Sequence, residues 1–399
     1  MIVARAPASE DVVILSAART PIGAYRGGLA PLAATALGSV AIRAAVARAG
    51  IDPLEIDEVF MGQVVQAGAG QAPARQASLG AGLATGVPCT TVNKVCGSGL
   101  KAVMLARSEI LAGEARLIVA GGMESMSNAP FLLRGDARGG IALGDRALVD
   151  ANLGDGLTDP FSGSTMGACA ERTAVSCGLT REDQDAFALS SYTRALAARA
   201  SGAFDAEIVS VPVKTRTGVF LIERDETPRQ TSTAALAGLA SAFVPGGAVT
   251  AGNSSKVSDG AAALVVAGAT YATARGLTPL ARIVAQAQYA HEPERFLLAP
   301  SGAIRRCLER AGWAIPEVDL FEVNEAFSGI EAVRRELGIS PERFNVNGGA
   351  VALGHPIGAT GARLLVTLLY ALRAGGLRRG VVAICLGGGE AVAVAIEVA

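Results

Sequence analysis

Segments with the character of strands alternate with segments of helical spacing along much of the chain, and this alternation limits the possible folds more than any other feature. Residues 89–95 predict a strand, residues 100–112 the helix that follows it, and residues 117–120 the next strand. Ala34–Ala49 also has helical spacing, and Gly50 is a natural residue for the end of that helix. The alternation predicts an α/β protein of βαβ units whose sheets are mostly parallel and buried.

A weak internal repeat indicates that the α/β part is duplicated. Residues 117–124 read LIVAGGME and residues 382–390 read VAICLGGGE, so each is a strand followed by glycines and a glutamate. Each also follows a glycine-rich loop that opens a helix, at residues 96–100 in one case and 358–364 in the other. If a pseudo-twofold axis relates the two halves, these loops face each other at one site.

A change of pattern in the middle of the chain divides it into parts. The chain has 399 residues, which is too long for one ordinary hydrophobic core and favours two or three units. Residues 125–252 carry more turns and polar residues, so we interpret this stretch as an inserted loop domain. We therefore predict a first half from residues 1–124 and 253–275, the loop domain from 125–252, and a second half from 276–399.

Charge and hydropathy argue against several classes of protein. The formal net charge is -1, from 35 basic and 36 acidic residues without a run of like charges, so we expect no nucleic-acid partner and no membrane-surface role. The apolar stretches are short beside the roughly 20 residues of a bilayer-spanning helix, so we expect no membrane span. The N-terminal MIVARAPASE lacks the apolar region of a secretory signal.

The cysteines and histidines indicate a compartment and exclude one kind of site. Six cysteines, at positions 89, 96, 169, 177, 307 and 385, are scattered without C-x-x-C spacing. This distribution is typical of reduced cytoplasmic thiols rather than of disulfides or a zinc site. His291 and His355 are the only histidines, which excludes a histidine-rich metal site, and we interpret His291 as a surface or structural residue.

Cys96 and His355 are the leading candidates for a catalytic pair. Cys96 lies between a predicted strand and a predicted helix, and a thiol at a helix N-terminus is expected to favour the thiolate. The loop alone leaves open the alternative of a buried, inert cysteine. His355 lies in a dense run of glycines at residues 348–361, which indicates close approach of a ligand rather than a surface loop. Together they form the Cys–His arrangement that activates a thiol.

Two further polar residues follow predicted strands. Cys385 ends an apolar strand just before a glycine turn, where α/β sheets bind ligands, although a core cysteine is a serious alternative. Asn324 follows the predicted strand Leu320–Val323, and its amide can hold a water or a carbonyl oxygen, cap the next helix, or do both. The glycine-rich loops match neither the P-loop nor the G-x-G-x-x-G spacing, so we expect neither ATP nor NAD.

Four of these motifs resemble those of the thiolases. NKVCGSGLKA at residues 93–102 is similar to the family's nucleophile motif, and NGGAVALGHPIG at residues 347–358 resembles its histidine motif. NEAF at residues 324–327 and CLGGG at residues 385–389 resemble its Asn-Glu-Ala-Phe motif and its second cysteine motif. Supporting matches at residues 18–23, 120–128 and 251–260 extend the resemblance over essentially the whole chain.

The resemblance implies a fold and a set of catalytic roles. The implied fold is α/β, a five-layered αβαβα sandwich of two duplicated halves with an inserted loop domain. Cys96 would take the acyl group, His355 would activate it, and Cys385 would move the proton at the α-carbon of acetyl-CoA. Asn324 would hold a water that binds one thioester oxygen together with His355. The backbone N–H groups of Cys96 and Gly387 would form a second oxyanion hole.

For coenzyme A the resemblance implies contacts from the loop domain and no tightly bound cofactor, because coenzyme A and acyl-CoA are substrates. Arg229 would pair with the nucleotide phosphates. Two residues depart from many short-chain members: Thr165 takes the place of a histidine and Lys256 that of a glycine, which bears on the pantetheine contacts and on the preference for acetoacetyl-CoA. The candidate contacts are Arg229, Leu239, Phe243, Ala251, Ser255, Met166 and Phe327.

Segments 134–145 and 155–159 resemble the short-chain, tetramer-forming thiolases, so we expect a homotetramer that condenses two acetyl-CoA into acetoacetyl-CoA or runs the reverse cleavage. A degradative thiolase of β-oxidation with a broader chain-length range is the main alternative. A ketoacyl synthase is disfavoured because the chain has no second usable histidine. A catalytically silent CoA-binding subunit is disfavoured because all four catalytic groups are present.

Overall fold

The computed structural model describes residues 10–133, 136–141, 143–216 and 218–398. Residues 1–9, on which the expectation about a secretory signal mainly rests, and part of segment 134–145 lie outside the described residues. The strands are β1 (Val12–Arg19), β2 (Gly23–Ala24), β3 (Glu58–Gly62), β4 (Cys89–Val92), β5 (Leu117–Ser125), β6 (Phe131–Leu133), β7 (Leu148–Asp150), β8 (Val211–Thr215), β9 (Gly218–Ile222), β10 (Ser258–Gly268), β11 (Ala281–Ala290), β12 (Leu320–Val323), β13 (Arg379–Leu386) and β14 (Glu390–Val398). The helices are α1 (Ala34–Ala49), α2 (Pro73–Ala81), α3 (Ser98–Ala112), α4 (Met166–Ser176), α5 (Arg181–Ser201), α6 (Thr233–Ala237), α7 (Ala269–Ala274), α8 (Ala299–Ala311), α9 (Glu331–Glu336), α10 (Ala350–Leu353) and α11 (Ile357–Ala374).

Most of the strands form one mixed sheet. Their order is β12-β13-β14-β11-β1-β10-β5-β3-β4, and β2 pairs with β10 at the side. In the described part of this sheet only β12–β13, β3–β4 and β3–β5 are parallel neighbours, so the prediction of mostly parallel sheets is wrong. One reason is that residues 387–389 alone join β13 to β14, and so short a turn joins only antiparallel strands.

The sheet contains the same four-strand arrangement twice. In the first half β3 is parallel to β5, β5 antiparallel to β10, and β10 antiparallel to β1. The second half repeats this arrangement: β12 is parallel to β13, β13 is antiparallel to β14, and β14 is antiparallel to β11. The halves meet where Val13 and Ile14 of β1 pair with β11. The predicted duplication of the α/β half is therefore confirmed.

Three hydrophobic clusters define the layers of the molecule. The middle cluster joins both halves of the sheet to α3 and α11, through side chains such as Leu100 and Leu365. A second cluster packs α1 and α2 against the first half, and a third packs α8 and α9 against the second half. The layers are therefore helices, the first half of the sheet, helices α3 and α11, the second half of the sheet, and helices again. The predicted five-layered sandwich is confirmed.

Helices α3 and α11 approach each other closely in the middle layer. A Cβ on Gly99 would lie 2.9 Å from the backbone nitrogen of Ala362, and one on Gly361 would lie 2.6 Å from that of Leu100. By length and composition α11 is the one helix in the described part of the chain that could cross a membrane. However, 78% of its apolar window is buried inside the protein, which is the character of a core helix.

The glycine pair of the first repeat lies inside a strand. The sequence predicts that this strand ends at residue 120, but β5 continues through Gly121 and Gly122 to Ser125. A Cβ on either glycine would come within 2.1 Å of a carbonyl oxygen, that of Ala262 or that of Gly358. The glycines therefore permit close packing of β5 rather than a turn.

The segment between β5 and β10 carries hairpins β6–β7 and β8–β9 and helices α4 to α6. A buried ion-pair network attaches it to the sheet, because Arg19 of β1 lies 2.6 Å from Glu207 and 2.7 Å from Asp225. Glu207 also accepts a hydrogen bond from Thr367 of α11 at 3.2 Å. The bounds given above for the three domains stay a prediction.

Candidate active site

A cavity of about 280 Å³ lies where the N-terminal ends of α3 and α11 meet the segment between β5 and β10. Cys385 and Asn324 are buried and do not line it, and Arg229, Leu239 and Ala251 do not line it either. Of the predicted site residues, the cavity is lined by Cys96, His355, Gly387, Met166, Phe243, Ser255 and Phe327. The sequence did not point to much of the remaining apolar wall, formed by Met126, Leu153, Leu157, Val257, Phe296 and Ile357.

Cys96 lies on a strained turn between β4 and α3. The preceding residue, Val95, has a φ of 44°, which is unusual for a β-branched residue. Ser98 braces the turn, because its hydroxyl donates to the carbonyl oxygen of Val95 at 2.6 Å and accepts from the N–H of Lys94 at 2.9 Å. A Cβ on Gly97 would lie 2.3 Å from the side chain of Leu386. The turn therefore brings Cys96 against the end of β13.

The Cys96 thiol is neutral in this environment. Burial raises its pKa to about 12, although hydrogen bonds from the backbone N–H groups of Gly387 and of Cys96 itself oppose the rise. The expectation that the helix terminus favours the thiolate is therefore wrong, because desolvation outweighs it. The Gly387 N–H that interacts with the sulfur is one of the two predicted oxyanion donors. Cys96 consequently needs a base at the moment it reacts.

His355 supplies a neutral imidazole with a defined tautomer. Burial, with a smaller effect of the Arg363 cation, lowers its pKa to about 3. Its Nδ1 lies 2.6 Å from Thr360 Oγ1, and the Thr360 hydroxyl donates to the carbonyl oxygen of Pro356 at 2.9 Å. Because a hydroxyl has one proton, Thr360 must accept from Nδ1–H. The lone pair of His355 is then on Nε2, which suits a general base.

Asn324 is held beside His355. Its Nδ2 lies 3.5 Å from His355 Nε2, and its Oδ1 has no hydrogen-bond partner among the described residues. The next helical turn begins only at Ser328, with Phe327 before it, so the prediction that Asn324 caps a helix is wrong. An unpaired buried amide oxygen is a place where a water or a ligand donor binds.

Cys385 is buried near the end of β13, one residue before its last, Leu386. It packs in one cluster with Met166, Ala326 and Phe327. Burial raises the pKa of its thiol well above the ordinary value, and Cys96 raises it further. The two sulfurs therefore interact, and their thiolates disfavour each other. Proximity to Cys96 distinguishes Cys385 from an ordinary core cysteine.

Glu124 is a buried carboxylate that the sequence did not identify as part of the site. It accepts hydrogen bonds from the N–H groups of Val64 at 3.0 Å, Val65 at 3.3 Å and Gly358 at 2.9 Å. Gly358 follows His355 on the same loop, so Glu124 fixes the histidine loop of the second half to the first half. The one sequence signal was the glutamate that ends the repeat at residues 117–124.

Aromatic rings form one wall of the cavity. The ring centroids of Phe243 and Phe327 are 5.9 Å apart, and those of Phe296 and Phe327 are 6.3 Å apart, both edge to face. A Cβ on Gly167 would lie 2.3 Å from the Phe243 ring, so this glycine admits the ring. The apolar wall suits an alkyl or pantetheine chain better than a charged group.

The two residues that depart from many short-chain thiolases both line the cavity. Thr165 is the N-cap of α4, where its hydroxyl accepts from the N–H of Ala168 at 3.3 Å. Lys256 Nζ donates to the carbonyl oxygens of Ala251 at 2.5 Å and Ser254 at 2.8 Å. The carbonyl oxygen of Lys256 accepts from the backbone N–H of His355 at 2.9 Å, so the two residues are direct neighbours.

The predicted contacts that do not line the cavity lie beyond it. The Arg229 guanidinium is 5.9 Å from the centroid of the Tyr192 ring. Leu239 is half-buried, and its carbonyl oxygen accepts from Arg181 at 3.0 Å. Ala251 is exposed next to Lys256. The structure therefore does not bring these three residues to the cavity, and their contact with coenzyme A stays a prediction.

The chain matches the family models of the thiolase N-terminal domain over residues 12–270 and the thiolase C-terminal domain over residues 277–398. It is 52% identical over 390 residues to an acetyl-CoA acetyltransferase of Escherichia coli (strain K12), which covers 97% of this chain and 99% of that protein. It is 49% identical over 390 residues to an acetyl-CoA acetyltransferase of Cupriavidus necator, with 97% and 99% covered. The crystal structure of the Bacillus anthracis acetyl-CoA acetyltransferase is similar with a TM-score of 0.96 and 40% identity, covering 98% of this chain and 100% of that chain.

Proposed function

The chain belongs to the thiolase family, and on that premise we propose that it transfers an acetyl group between two acetyl-CoA molecules to give acetoacetyl-CoA and coenzyme A, or runs the reverse cleavage. Two relatives named acetyl-CoA acetyltransferase, with 52% and 49% sequence identity over 390 residues, support an acyltransferase of this type. The observation that carries the mechanism is that Cys96, His355 and Gly387 share one cavity.

In the first half-reaction the Cys96 sulfur attacks the thioester carbonyl of one acetyl-CoA. His355 Nε2 takes the thiol proton as the new C–S bond forms, which a neutral imidazole with this tautomer is able to do. The tetrahedral oxyanion accepts hydrogen bonds from the N–H groups of Cys96 and Gly387. The C–S bond to coenzyme A then breaks, and the departing thiolate takes its proton from the Cys385 thiol, which leaves Cys385 as a thiolate and His355 as an imidazolium.

In the second half-reaction the Cys385 thiolate removes a proton from the α-carbon of a second acetyl-CoA. The enolate oxygen accepts hydrogen bonds from the Nε2–H of the His355 imidazolium and from a water held at the unpaired Oδ1 of Asn324. The enolate carbon attacks the acetyl group on Cys96, the C–S bond breaks, and acetoacetyl-CoA forms. The α-proton remains on Cys385, and the imidazolium returns its proton to the Cys96 sulfur, so both thiols and the neutral imidazole are regenerated.

The coenzyme A part of the substrate binds along the cavity wall and beyond it. Met166, Phe243, Ser255 and Phe327 support this because they line the cavity with Cys96. Arg229, Leu239 and Ala251 would contact the nucleotide end, farther from the reacting sulfur. No tightly bound cofactor takes part, since the two thiols, one imidazole and backbone donors account for every bond and proton transferred.

We further propose a homotetramer in the cytoplasm. The exposed apolar side chains of hairpin β6–β7 support an association surface, because Phe131 and Leu148 are 64% and 63% exposed. The six cysteines, all within the described residues, are unpaired, which supports a reducing compartment.

The experiment measures thiolytic cleavage of acetoacetyl-CoA and of 3-ketohexadecanoyl-CoA side by side. We expect fast cleavage of the short substrate, little of the long one, and loss of both in Cys96→Ala but not in the matched control Cys89→Ala. Comparable or faster cleavage of the long substrate would move the assignment to a degradative thiolase. Equal activity of Cys96→Ala and the control would refute the mechanism.

A further inference from the structure

We propose that Lys256, whose side chain reaches toward Arg229, forms with it an anion subsite at the wall of the active-site cavity, and that this subsite binds a phosphate group of coenzyme A. The inference rests on the proposed function, because coenzyme A is the substrate from which the phosphate comes. It adds a specificity-determining residue, Lys256, at a position where a glycine is the expected residue and where a cation changes what the site recognises.

Lys256 and Arg229 converge on one aromatic ring. The Lys256 Nζ lies 5.8 Å from the centroid of the Tyr192 ring, and the Arg229 guanidinium carbon lies 5.9 Å from the same centroid. Tyr192 is fully buried in α5, in a cluster with residues such as Leu353. The ring is therefore a rigid surface that both cations contact, and it neutralises neither charge.

No carboxylate balances this pair in the described part of the chain. Nζ of Lys256 donates to two carbonyl oxygens, Ala251 O and Ser254 O, which leaves one of its three N–H donors for another partner. Arg229 has no ion pair with a described residue, and its one described contact is with the Tyr192 ring. Burial and the charge of Arg229 lower the pKa of Lys256 to about 8, which is the effect of a cation without a counter-ion.

Glu325, the carboxylate that acts on the Tyr192 ring, is already bound to other groups. Glu325 acts on the pKa of Tyr192, but its carboxylate accepts hydrogen bonds from Ser191 at 2.6 Å and from Asn345 at 2.9 Å. It also accepts from the N–H of Val351 at 3.2 Å. Two cations beside each other, with the local carboxylate bound elsewhere, favour an anion from outside the protein.

The position of the two cations indicates which part of coenzyme A they contact. Lys256 lines the same cavity as Cys96, whereas Arg229 lies beyond the cavity wall. The thioester must be at Cys96, so the cations meet a more distant part of the substrate. In coenzyme A the anionic groups, the diphosphate and the 3′-phosphate, are all at the end away from the thiol. A phosphate is therefore the anion that the proposed substrate brings to this place.

The test compares binding of three ligands by titration calorimetry: coenzyme A, dephospho-coenzyme A and pantetheine. In Lys256→Met we expect the Kd for coenzyme A to rise about tenfold, as for loss of one charge-assisted hydrogen bond, and that for pantetheine to change much less. Lys256→Arg, which keeps the charge, should recover most of the loss. Lys214→Met, at an exposed lysine of β8, is the matched control and should bind like the parent protein. Whether dephospho-coenzyme A follows coenzyme A or pantetheine identifies the phosphate.

Two outcomes would overturn the proposal. One is an equal rise in Kd for all three ligands, which would mean that Lys256 only shapes the loop at residues 251–256. The other is an unchanged affinity for coenzyme A in Lys256→Met, whatever the result for Arg229→Met. If Lys256→Met does not fold, Lys256→Gln decides instead, because it keeps a donor for the carbonyl oxygens of Ala251 and Ser254 but carries no charge. Failure of the proposed function is distinguishable, because the parent protein would then cleave neither test substrate.

A second readout uses catalysis instead of binding. We expect kcat/KM for acetoacetyl-CoA to fall about tenfold in Lys256→Met, mainly through KM, and kcat/KM for acetoacetyl-pantetheine to fall much less. Added salt should weaken the binding of coenzyme A more in the parent protein than in this variant, because screening acts on the charge that the variant lacks. The same percentage loss on both thioesters would contradict a phosphate subsite.

Discussion

At the scale of single residues, Thr360 decides which nitrogen of His355 is free to accept a proton. Its hydroxyl has one proton and donates it to Pro356, so only its lone pairs face the imidazole. Without that acceptor, nothing would hold the imidazole proton on Nδ1. Thr360 touches no reacting atom and is therefore a positioning residue.

We expect Thr360→Val, which has nearly the same shape without the hydroxyl, to lower kcat by tenfold or more. General base catalysis contributes about 10²–10⁴-fold in rate, and the wrong tautomer removes part of it. KM should change by less than about threefold, because Thr360 does not line the cavity. A lower kcat with a nearly unchanged KM indicates loss of general base catalysis rather than loss of substrate binding. Steady-state thiolysis of acetoacetyl-CoA measures both constants, and Thr360→Ser is the control that keeps the hydroxyl. Equal losses in the Val and Ser variants would speak against the tautomer argument.

The sequence was sufficient to find the reactive residues but not their supports. Cys96 and His355 could be predicted because glycines surround them, and a dense run of glycines beside a reactive side chain is typical of a place where a ligand comes close to the backbone. Thr360 and Glu124 could not, because their roles depend on hydrogen bonds to residues that are close only in the folded chain. The pKa of Cys96 was also out of reach, since it depends on burial rather than on its place before a helix.

At the scale of elements, the packing of α3 against α11 positions the two reactive groups. Cys96 comes just before α3, and His355 comes just before α11. Each helix carries a glycine at the contact, Gly99 and Gly361, and a side chain at either would meet backbone atoms of the other helix. The distance between the helices thus sets the distance between nucleophile and base.

We expect Gly361→Ala to destabilise the protein by about 1–3 kcal/mol, even though alanine is the better helix former. The new Cβ would lie 2.6 Å from the backbone nitrogen of Leu100, which has little freedom to move. Urea unfolding of the variant measures the change. Gly86→Ala is the matched control, since no atom lies within 4 Å of its added Cβ. A variant at position 361 as stable as the control would show that the helices move apart freely.

The elements differ in how far the sequence predicts them. Helix α1 was predicted with both its bounds and its left-handed Gly50, because spacing and cap lie within one local segment. Strand pairing was predicted less well, since direction depends on which strand lies next in space. Strand β10 illustrates this: its neighbours β1 and β5 both precede the whole inserted segment, and both pairings are antiparallel.

At the scale of the whole molecule, the network around Arg19 joins three parts of the chain. Arg19 is on β1, its partners Glu207 and Asp225 are on the inserted segment, and Glu207 is bonded to Thr367 on α11. Arg19 and Glu207 are almost fully buried, so removal of the guanidinium would leave two carboxylates without their ion-pair partner.

We expect Arg19→Met to lower the free energy of unfolding by about 3–5 kcal/mol, as when one partner of a buried ion pair is lost. The matched control is Arg116→Met, whose ion pair with Asp57 is solvent-exposed and is worth at most about 1 kcal/mol. Urea titrations of both variants, followed by circular dichroism, give the two values. Similar losses in the two variants would mean that the network contributes no more than a surface pair.

The central place of β1 in the sheet also determines when the protein can fold during its synthesis. Val13 leaves the ribosome long before its partners Ala267 and Arg282, which are added about 250 residues later. At about 5–20 residues per second this delay is roughly 12 to 50 seconds, and the apolar β1 remains without its neighbours throughout. A chaperone that binds short apolar segments therefore has a long opportunity to bind β1.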